Sequence, residues 1–291
     1  EIGDRVFSGR TSLNSITIPE SVTSIGNYAF EGCSGLTSII IPSSVTSIGN
    51  YAFSDCTALT EINYNATAAN NLAPDSNVFY NAGQNGTGIT VNIGANVTRL
   101  PNYIFGGGSP NIITVNFTEG SVCESIGDWA FDNCSSLTSI TILEGVTSIG
   151  YNAFSDCSNL TSITIPLSVV TINGYAFSDC SNLTSITIPE GVTSIGEGVF
   201  RNCSSLTSIT IPDSVTSIGE YAFNGCSNLT SVTIPDSVIS IGNYAFSSCR
   251  SLTSITIPDS VTSIGDGAFY YCSSLTSITI PDSVTSIGTY A

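Results

Sequence analysis

The chain has 291 residues, and its 22 acidic side chains and five cations give a net charge of −17. All five cations are arginine and histidine is absent, which excludes a Schiff-base lysine and a Ser–His or Cys–His nucleophile. The acidic balance argues against nucleic acid as a partner, because a phosphate backbone is bound by basic residues. No apolar run reaches the roughly 18 residues of a membrane span, so we expect no direct membrane insertion.

A repeat of 23 residues dominates the sequence. One copy, Leu206 to Asn228, reads LTSITIPDSVTSIGEYAFNGCSN, and the next copies begin at Leu229 and Leu252. A period of roughly 20–50 residues is typical of a solenoid, in which each repeat forms one coil. We therefore expect residues 1–291 to form a single solenoid of about 12 coils. The chain opens and closes within a repeat, so we also expect it to be a piece of a longer protein.

Each coil is predicted to begin with a strand. Residues alternate in Leu206–Ile211, so the apolar side chains point inward and Ser208 and Thr210 point outward. Pro212 ends the strand because it lacks a backbone donor. Asp213 then begins a turn, which its side chain could close by accepting a backbone hydrogen bond. Stacked coils would place these strands in a parallel ladder on one face.

The second half of each coil is predicted to return to the core. Gly219 permits a tight or left-handed bend, and Tyr221–Phe223 has the length of one helical or 3₁₀ turn. A Phe recurs at this point and would form a column of stacked rings inside the solenoid. The column consists of Phe7, Phe30, Phe53, Phe79, Phe105, Phe131, Phe154, Phe177, Phe200, Phe223, Phe246 and Phe269.

Coils over residues 59–136 depart from the repeat. An inserted stretch, NATAANNLAPDSNVFYNAGQNGTG, lengthens one of them. Insertions in solenoids map to loops on one face, which is often the functional face. The alternative, which we favour, is a flexible patch left by drift of the repeat.

The pattern L-x-x-I-x-I-P-x-x-V-x-x-I-G-x-x-A-F-x-x-C resembles the BspA-like leucine-rich repeats. The resemblance covers essentially the whole chain, including the irregular segment. It implies a leucine-rich repeat solenoid and an extracellular or cell-surface protein with a role in adhesion, and it carries no catalytic residue. This chain departs from the pattern at Gly94 and Leu143, where proline is expected, and at Asn173, where glycine is expected.

The chain has ten cysteines, and all but Cys123 fall at one position of the repeat. The column consists of Cys33, Cys56, Cys134, Cys157, Cys180, Cys203, Cys226, Cys249 and Cys272. Parallel side chains on adjacent coils do not converge as a disulfide requires, so we favour reduced, buried thiols. Zinc is disfavoured because the column has no histidine and no Cys-x-x-Cys pair.

An acidic column follows the strands. It consists of Glu190, Asp213, Asp236, Asp259 and Asp282. Bridging Ca²⁺ ions are one interpretation, but we favour solvated turn residues. We therefore expect no metal and no cofactor.

The outward Ser-x-Thr pairs of the strands are the candidate binding face. In the most regular coils these are Ser185, Thr187, Ser208, Thr210, Ser231, Thr233, Ser254 and Thr256. Threonine favours exposed strand positions in any sheet, so the pattern also has a purely structural interpretation. A functional face would bind a protein or a glycan, or would order ice.

The sequence thus predicts a non-enzymatic repeat protein of the cell surface or extracellular space, acting in adhesion or as a scaffold. A specific carbohydrate- or ice-binding module is the alternative. Self-association end to end, giving fibres, is a further possibility, because solenoid ends expose apolar faces unless they are capped.

Overall fold

The structure, a computed structural model, describes all residues from 1 to 291 and contains 20 β-strands. The chain divides into two compact units, Glu1–Val146 and Thr147–Ala291. Each unit is a parallel β-solenoid, which confirms the predicted fold class. A single solenoid across both units stays a prediction.

Each unit contains strands of two residues and longer strands of three to six residues. In the first unit they are β1 Ser24–Ile25, β2 Ser38–Ile41, β3 Ser47–Ile48, β4 Glu61–Tyr64, β5 Ile89–Ile93, β6 Arg99–Leu100, β7 Ile112–Phe117, β8 Ser125–Ile126 and β9 Ser139–Thr141. In the second they are β10 Ser148–Ile149, β11 Ser162–Thr164, β12 Thr171–Ile172, β13 Ser194–Ile195, β14 Ser208–Thr210, β15 Ser217–Ile218, β16 Ser231–Thr233, β17 Ser240–Ile241, β18 Ser254–Thr256, β19 Ser263–Ile264 and β20 Ser286–Ile287.

The longer strands form what we call the long-strand ladder. In the first unit β2, β4, β5 and β7 pair in parallel in that order, and in the second unit β14, β16 and β18 do so. The shorter strands form a second parallel ladder, as in β13, β15, β17, β19 and β20. In the regular coils each strand residue pairs with the equivalent residue of the next repeat, so Ser208 lies opposite Ser231.

A third row of hydrogen bonds joins coils through their turns. Tyr221 N–H donates to the Asn243 carbonyl at 2.9 Å, and Phe223 N–H donates to the Ala245 carbonyl at 2.8 Å. Gly225 N–H likewise donates to the Ser247 carbonyl of the next coil at 2.8 Å. The backbone polar groups on this side are therefore satisfied without regular strands.

The predicted helical or 3₁₀ turn at Tyr221–Phe223 is not confirmed: the segment is a turn, in which Asn224 N–H donates to the Tyr221 carbonyl at 3.0 Å. Tyr221 has a φ of 55° and Gly225 a φ of 76°, and two left-handed residues four apart cannot belong to a right-handed helix. Gly219 is not left-handed. It is needed because a Cβ there would lie 2.7 Å from the Gly196 carbonyl carbon of the neighbouring coil. Contact between coils, and not local bending, selects glycine at this position.

The phenylalanine column forms the core of each unit, as predicted. Neighbouring rings in the first unit stack at centroid distances of 5.0 to 5.7 Å. In the second unit they stack at 5.2 to 5.8 Å. All rings of the column except Phe7 and Phe269 are fully buried, and stacking adds favourable ring geometry to this apolar burial, so the column holds successive coils together.

The turn after each long strand is closed by the backbone. Val215 N–H donates to the Pro212 carbonyl at 3.0 Å, while the Ser214 hydroxyl donates to the Val192 carbonyl at 2.6 Å. The Asp213 side chain is exposed and makes no such bond, so its predicted role in closing the turn is wrong.

The inserted stretch is anchored to neighbouring coils. Arg99 donates to the Asn71 side-chain oxygen at 2.5 Å and to the Ala69 carbonyl at 2.8 Å. Leu72 N–H donates to the Asn102 carbonyl at 3.2 Å. These bonds give the stretch a defined path along the neighbouring coils, while its flexibility stays a prediction. No helix in the structure is long and apolar enough to cross a membrane.

Candidate functional site

The predicted binding residues lie together on the long-strand ladder of the second unit. We call them the Ser–Thr array: Ser185, Thr187, Ser208, Thr210, Ser231, Thr233, Ser254 and Thr256. All are exposed, and their serines and threonines follow one another in register. Beneath them Ile209, Val232 and Ile255 are buried, which fixes the backbone that presents the hydroxyls.

Hydroxyl groups in this unit divide into two sets. Those of a second threonine column are used internally: Thr184 donates to the Thr161 carbonyl at 3.2 Å and Thr230 to the Thr207 carbonyl at 3.2 Å. Thr253 repeats this bond one coil later. The side chains of the Ser–Thr array make no hydrogen bond within the protein. Their donors and acceptors are open to a partner, a distinction that the sequence does not reveal.

In the first unit an asparagine ladder occupies the outward position. The Asn92 amide donates to the Asn63 side-chain oxygen at 3.0 Å, and the Asn116 amide donates to the Asn92 side-chain oxygen at 3.1 Å. Each bond crosses from one strand to the next, so the amides hold one another in a fixed orientation. This ladder was not among the predicted sites, although Asn recurs at one strand position in all three coils.

All ten cysteines are free and buried, as predicted. In the column each thiol reaches the coil before it: Cys226 donates to the Phe200 carbonyl at 3.1 Å, and Cys249 to the Phe223 carbonyl at 3.2 Å. Burial raises the pKa of Cys226 to about 12 and that of Cys272 to about 11. The thiols are therefore protonated at neutral pH, which suits a structural role and not a nucleophilic one.

The acidic column is exposed along the turns of the second unit. The structure contains no group of three or more His, Cys, Asp or Glu side chains placed to hold a metal ion. The column also lies outside the Ser–Thr array, since Asp213 and Asp236 follow the prolines that end the strands.

Two surface cavities lie where proline is missing from the repeat. One, of about 240 Å³, is lined by residues of β7 and β9 together with Leu143. The other, of about 230 Å³, includes Gly94 and is lined by polar residues such as Glu20 and Asn65. The departures from the repeat thus mark the openings in the surface of the first unit, a signal that the sequence contained.

Comparison with protein families agrees with this architecture. A family model for the BspA type leucine rich repeat region matches six copies, over residues 1–112, 98–226 and 193–291. Together the matches cover the chain from end to end. No curated protein matches it.

Solved structures of bacterial proteins share the fold. A leucine-rich repeat protein from Bacteroides ovatus is 28% identical, with a TM-score of 0.61 over 92% of this chain and 78% of its own. A leucine rich cell surface protein from Faecalibacterium prausnitzii is 30% identical, with a TM-score of 0.51 over 95% and 81%. The pneumococcal vaccine antigen PcpA, at 19% identity, has a TM-score of 0.54 over 94% and 82% and shows the fold alone.

Proposed function

Because the chain belongs to the family of BspA-type leucine-rich repeat proteins, we propose that it is a non-enzymatic protein of the cell surface or extracellular space whose Ser–Thr array adheres to a macromolecular surface. The cell-surface description of the Faecalibacterium prausnitzii relative supports the location. The partner is a protein or a glycan.

The free hydroxyls of the Ser–Thr array are the observation that carries this proposal. Each can both donate and accept a hydrogen bond. A single hydrogen bond contributes only about 0.5–1.5 kcal/mol net, so one rung binds weakly. Rungs repeat at the strand spacing of about 4.8 Å, and a partner with its own periodic groups would engage several of them at once. Affinity then comes from the number of rungs.

The charge of the chain supports an uncharged contact. The array contains no ionisable side chain in a protein of net charge −17. Adhesion through it should depend little on salt, because neutral hydrogen bonds are not screened as ion pairs are. A polyanionic partner such as nucleic acid would be repelled.

Adhesion can be measured with the whole chain by surface plasmon resonance on immobilised laminin, collagen and a neutral polysaccharide. Thr210→Arg combined with Thr233→Arg places two long side chains on the array, and binding should fall at least tenfold. Ile239→Arg is the matched control, since Ile239 is exposed but lies by the short-strand ladder. It should leave binding unchanged.

Lack of binding to all three surfaces, or equal loss in the control, would contradict the proposal. Stacking of one copy on another is the alternative to a foreign partner. It would appear as an increase of mass with concentration in sedimentation velocity, and it would persist in the double variant.

A further inference from the structure

The long-strand ladder of the first unit is interrupted. Its sheet ends at β7, and β9 lies beside β7 without joining that sheet. A β-bulge precedes the interruption, because Thr90 pairs with Thr114 while Ile89 pairs with Ile112, leaving Ile113 as the extra residue. Bulges bend a strand and redirect its side chains. The result is an open cleft of about 240 Å³ between the two strands.

The cleft combines an aromatic ring with neutral polar groups. Phe117 is half-buried, although the equivalent Ile142 of the next coil is fully buried. Asn116 donates one N–H to Asn92 at 3.1 Å, which fixes its amide and leaves its oxygen and second N–H free. The hydroxyls of Ser139 and Thr141 face the cleft and have no partner in the protein. The outer edge of β7 pairs with no strand.

The residues that line the cleft restrict the chemical class of its ligand. None of the cleft residues is charged, so an ionic ligand would lose its solvation without gaining a counter-charge. A wholly apolar ligand would bury the free amide and hydroxyl groups without partners, which is unfavourable for each group. A ring-shaped molecule with C–H groups on one face and hydroxyls at its edge matches both the aromatic ring and the neutral polar groups of the cleft. The volume admits one such ring, and the open side admits a chain attached to it.

We propose that the cleft between β7 and β9 is a binding site for a neutral saccharide, in which Phe117 packs against the face of one sugar ring and Asn116, Ser139 and Thr141 bind its hydroxyls. The site lies in the first unit, whereas the Ser–Thr array lies in the second. It therefore does not depend on the adhesive function proposed above.

The test is a glycan array that carries neutral and acidic oligosaccharides, probed with the whole chain. The strongest neutral oligosaccharide is then titrated by isothermal calorimetry. Phe117→Leu keeps an apolar side chain but removes the ring, and Asn116→Ala removes the amide. Each should weaken binding at least tenfold. Ile239→Arg, which lies in the other unit outside the Ser–Thr array, serves as the control and should leave the affinity unchanged.

The urea midpoint of Phe117→Leu shows whether the unit still folds. If it does not, Ser139→Tyr fills the cleft while keeping Phe117 and should abolish binding. The proposal is overturned if no neutral glycan binds, if acidic glycans bind more tightly, or if the cleft variants bind as the wild type does. Failure of the adhesive proposal would not affect these results, because the cleft variants lie in the first unit and the Ser–Thr array lies in the second.

Discussion

Replacing Phe223 with alanine should strongly destabilise the second unit. The ring is fully buried and stacks on Phe200 at 5.4 Å and on Phe246 at 5.2 Å. A buried Phe→Ala change costs about 3–5 kcal/mol through lost burial and the cavity left behind. Each stacked pair adds about 0.5–1.5 kcal/mol beyond burial. Because two pairs are lost, we expect a cost at the upper end, about 5 kcal/mol.

Phe269→Ala is the matched control. Phe269 is half-buried and stacks only on Phe246, at 5.7 Å. Removing it should cost about 2 kcal/mol, the value of partly burying an aromatic side chain. The difference between the two variants, about 3 kcal/mol, isolates the effect of a ring enclosed by neighbours on both sides.

Equilibrium urea unfolding, followed by far-ultraviolet circular dichroism, gives the free energy of unfolding of each variant. Hydrogen exchange of the amides in residues 221–225 then reports whether the coil opens locally, as repeat proteins allow. Equal costs for the two variants, or a cost below about 1 kcal/mol for Phe223→Ala, would refute a core built on stacked rings.

Three further outcomes follow from the packing. Tyr221→Gly should change the free energy of unfolding, measured by urea titration, by less than about 1 kcal/mol. Glycine relieves the left-handed φ of Tyr221, which offsets the loss of its ring stacking, and Gly198 already occupies the equivalent position one coil earlier. A larger loss of stability would contradict this. Burial raises the pKa of Cys226 from 9.0 to about 12, so the unfolded thiol loses its proton first as pH rises. The melting temperature should therefore fall between pH 9 and about 12 and fall less steeply in Cys226→Ala, whereas identical slopes would argue against this role. Arg99→Ala should speed proteolysis within residues 69–72, because it removes two of the bonds that anchor the inserted stretch, while the exposed Arg250→Ala should not.

The regular part of the fold could be predicted because each coil repeats the same pattern of residues. Alternation in Leu206–Ile211 determines the inward face, and the recurring Phe determines the core, so neither depends on knowing the neighbouring coil. The Ser–Thr array follows from the same alternation. These features are local, and the period extends them to every coil.

Features that depend on contact between coils could not be predicted in this way. Gly219 was expected to bend the chain, but its small size is needed because the next coil approaches its backbone. Tyr221 takes a left-handed conformation that bulky residues avoid, and it does so because its N–H and those of its neighbours bond to the adjacent coil. Neither property can be read from one repeat alone.

The cleft in the first unit could be predicted only in part. Its outline is visible in the sequence, where Leu143 replaces a proline and the coil that begins at Ile112 is longer than the repeat. What the sequence does not show is that the bulge at Ile113 interrupts the ladder and exposes Phe117. Similarly, only the hydrogen bonds reveal which hydroxyls are free.

The central claim is that equivalent residues of successive coils stand one above another on the long-strand ladder, as Thr210 and Thr233 do. Pyrene labels on Thr210→Cys/Thr233→Cys test it directly, since the native thiols are buried and adjacent strands lie about 4.8 Å apart. We expect a strong excimer band for this pair at high dilution and only monomer emission for Thr210→Cys/Ile239→Cys. Monomer emission from the first pair, or excimer emission from both, would contradict it.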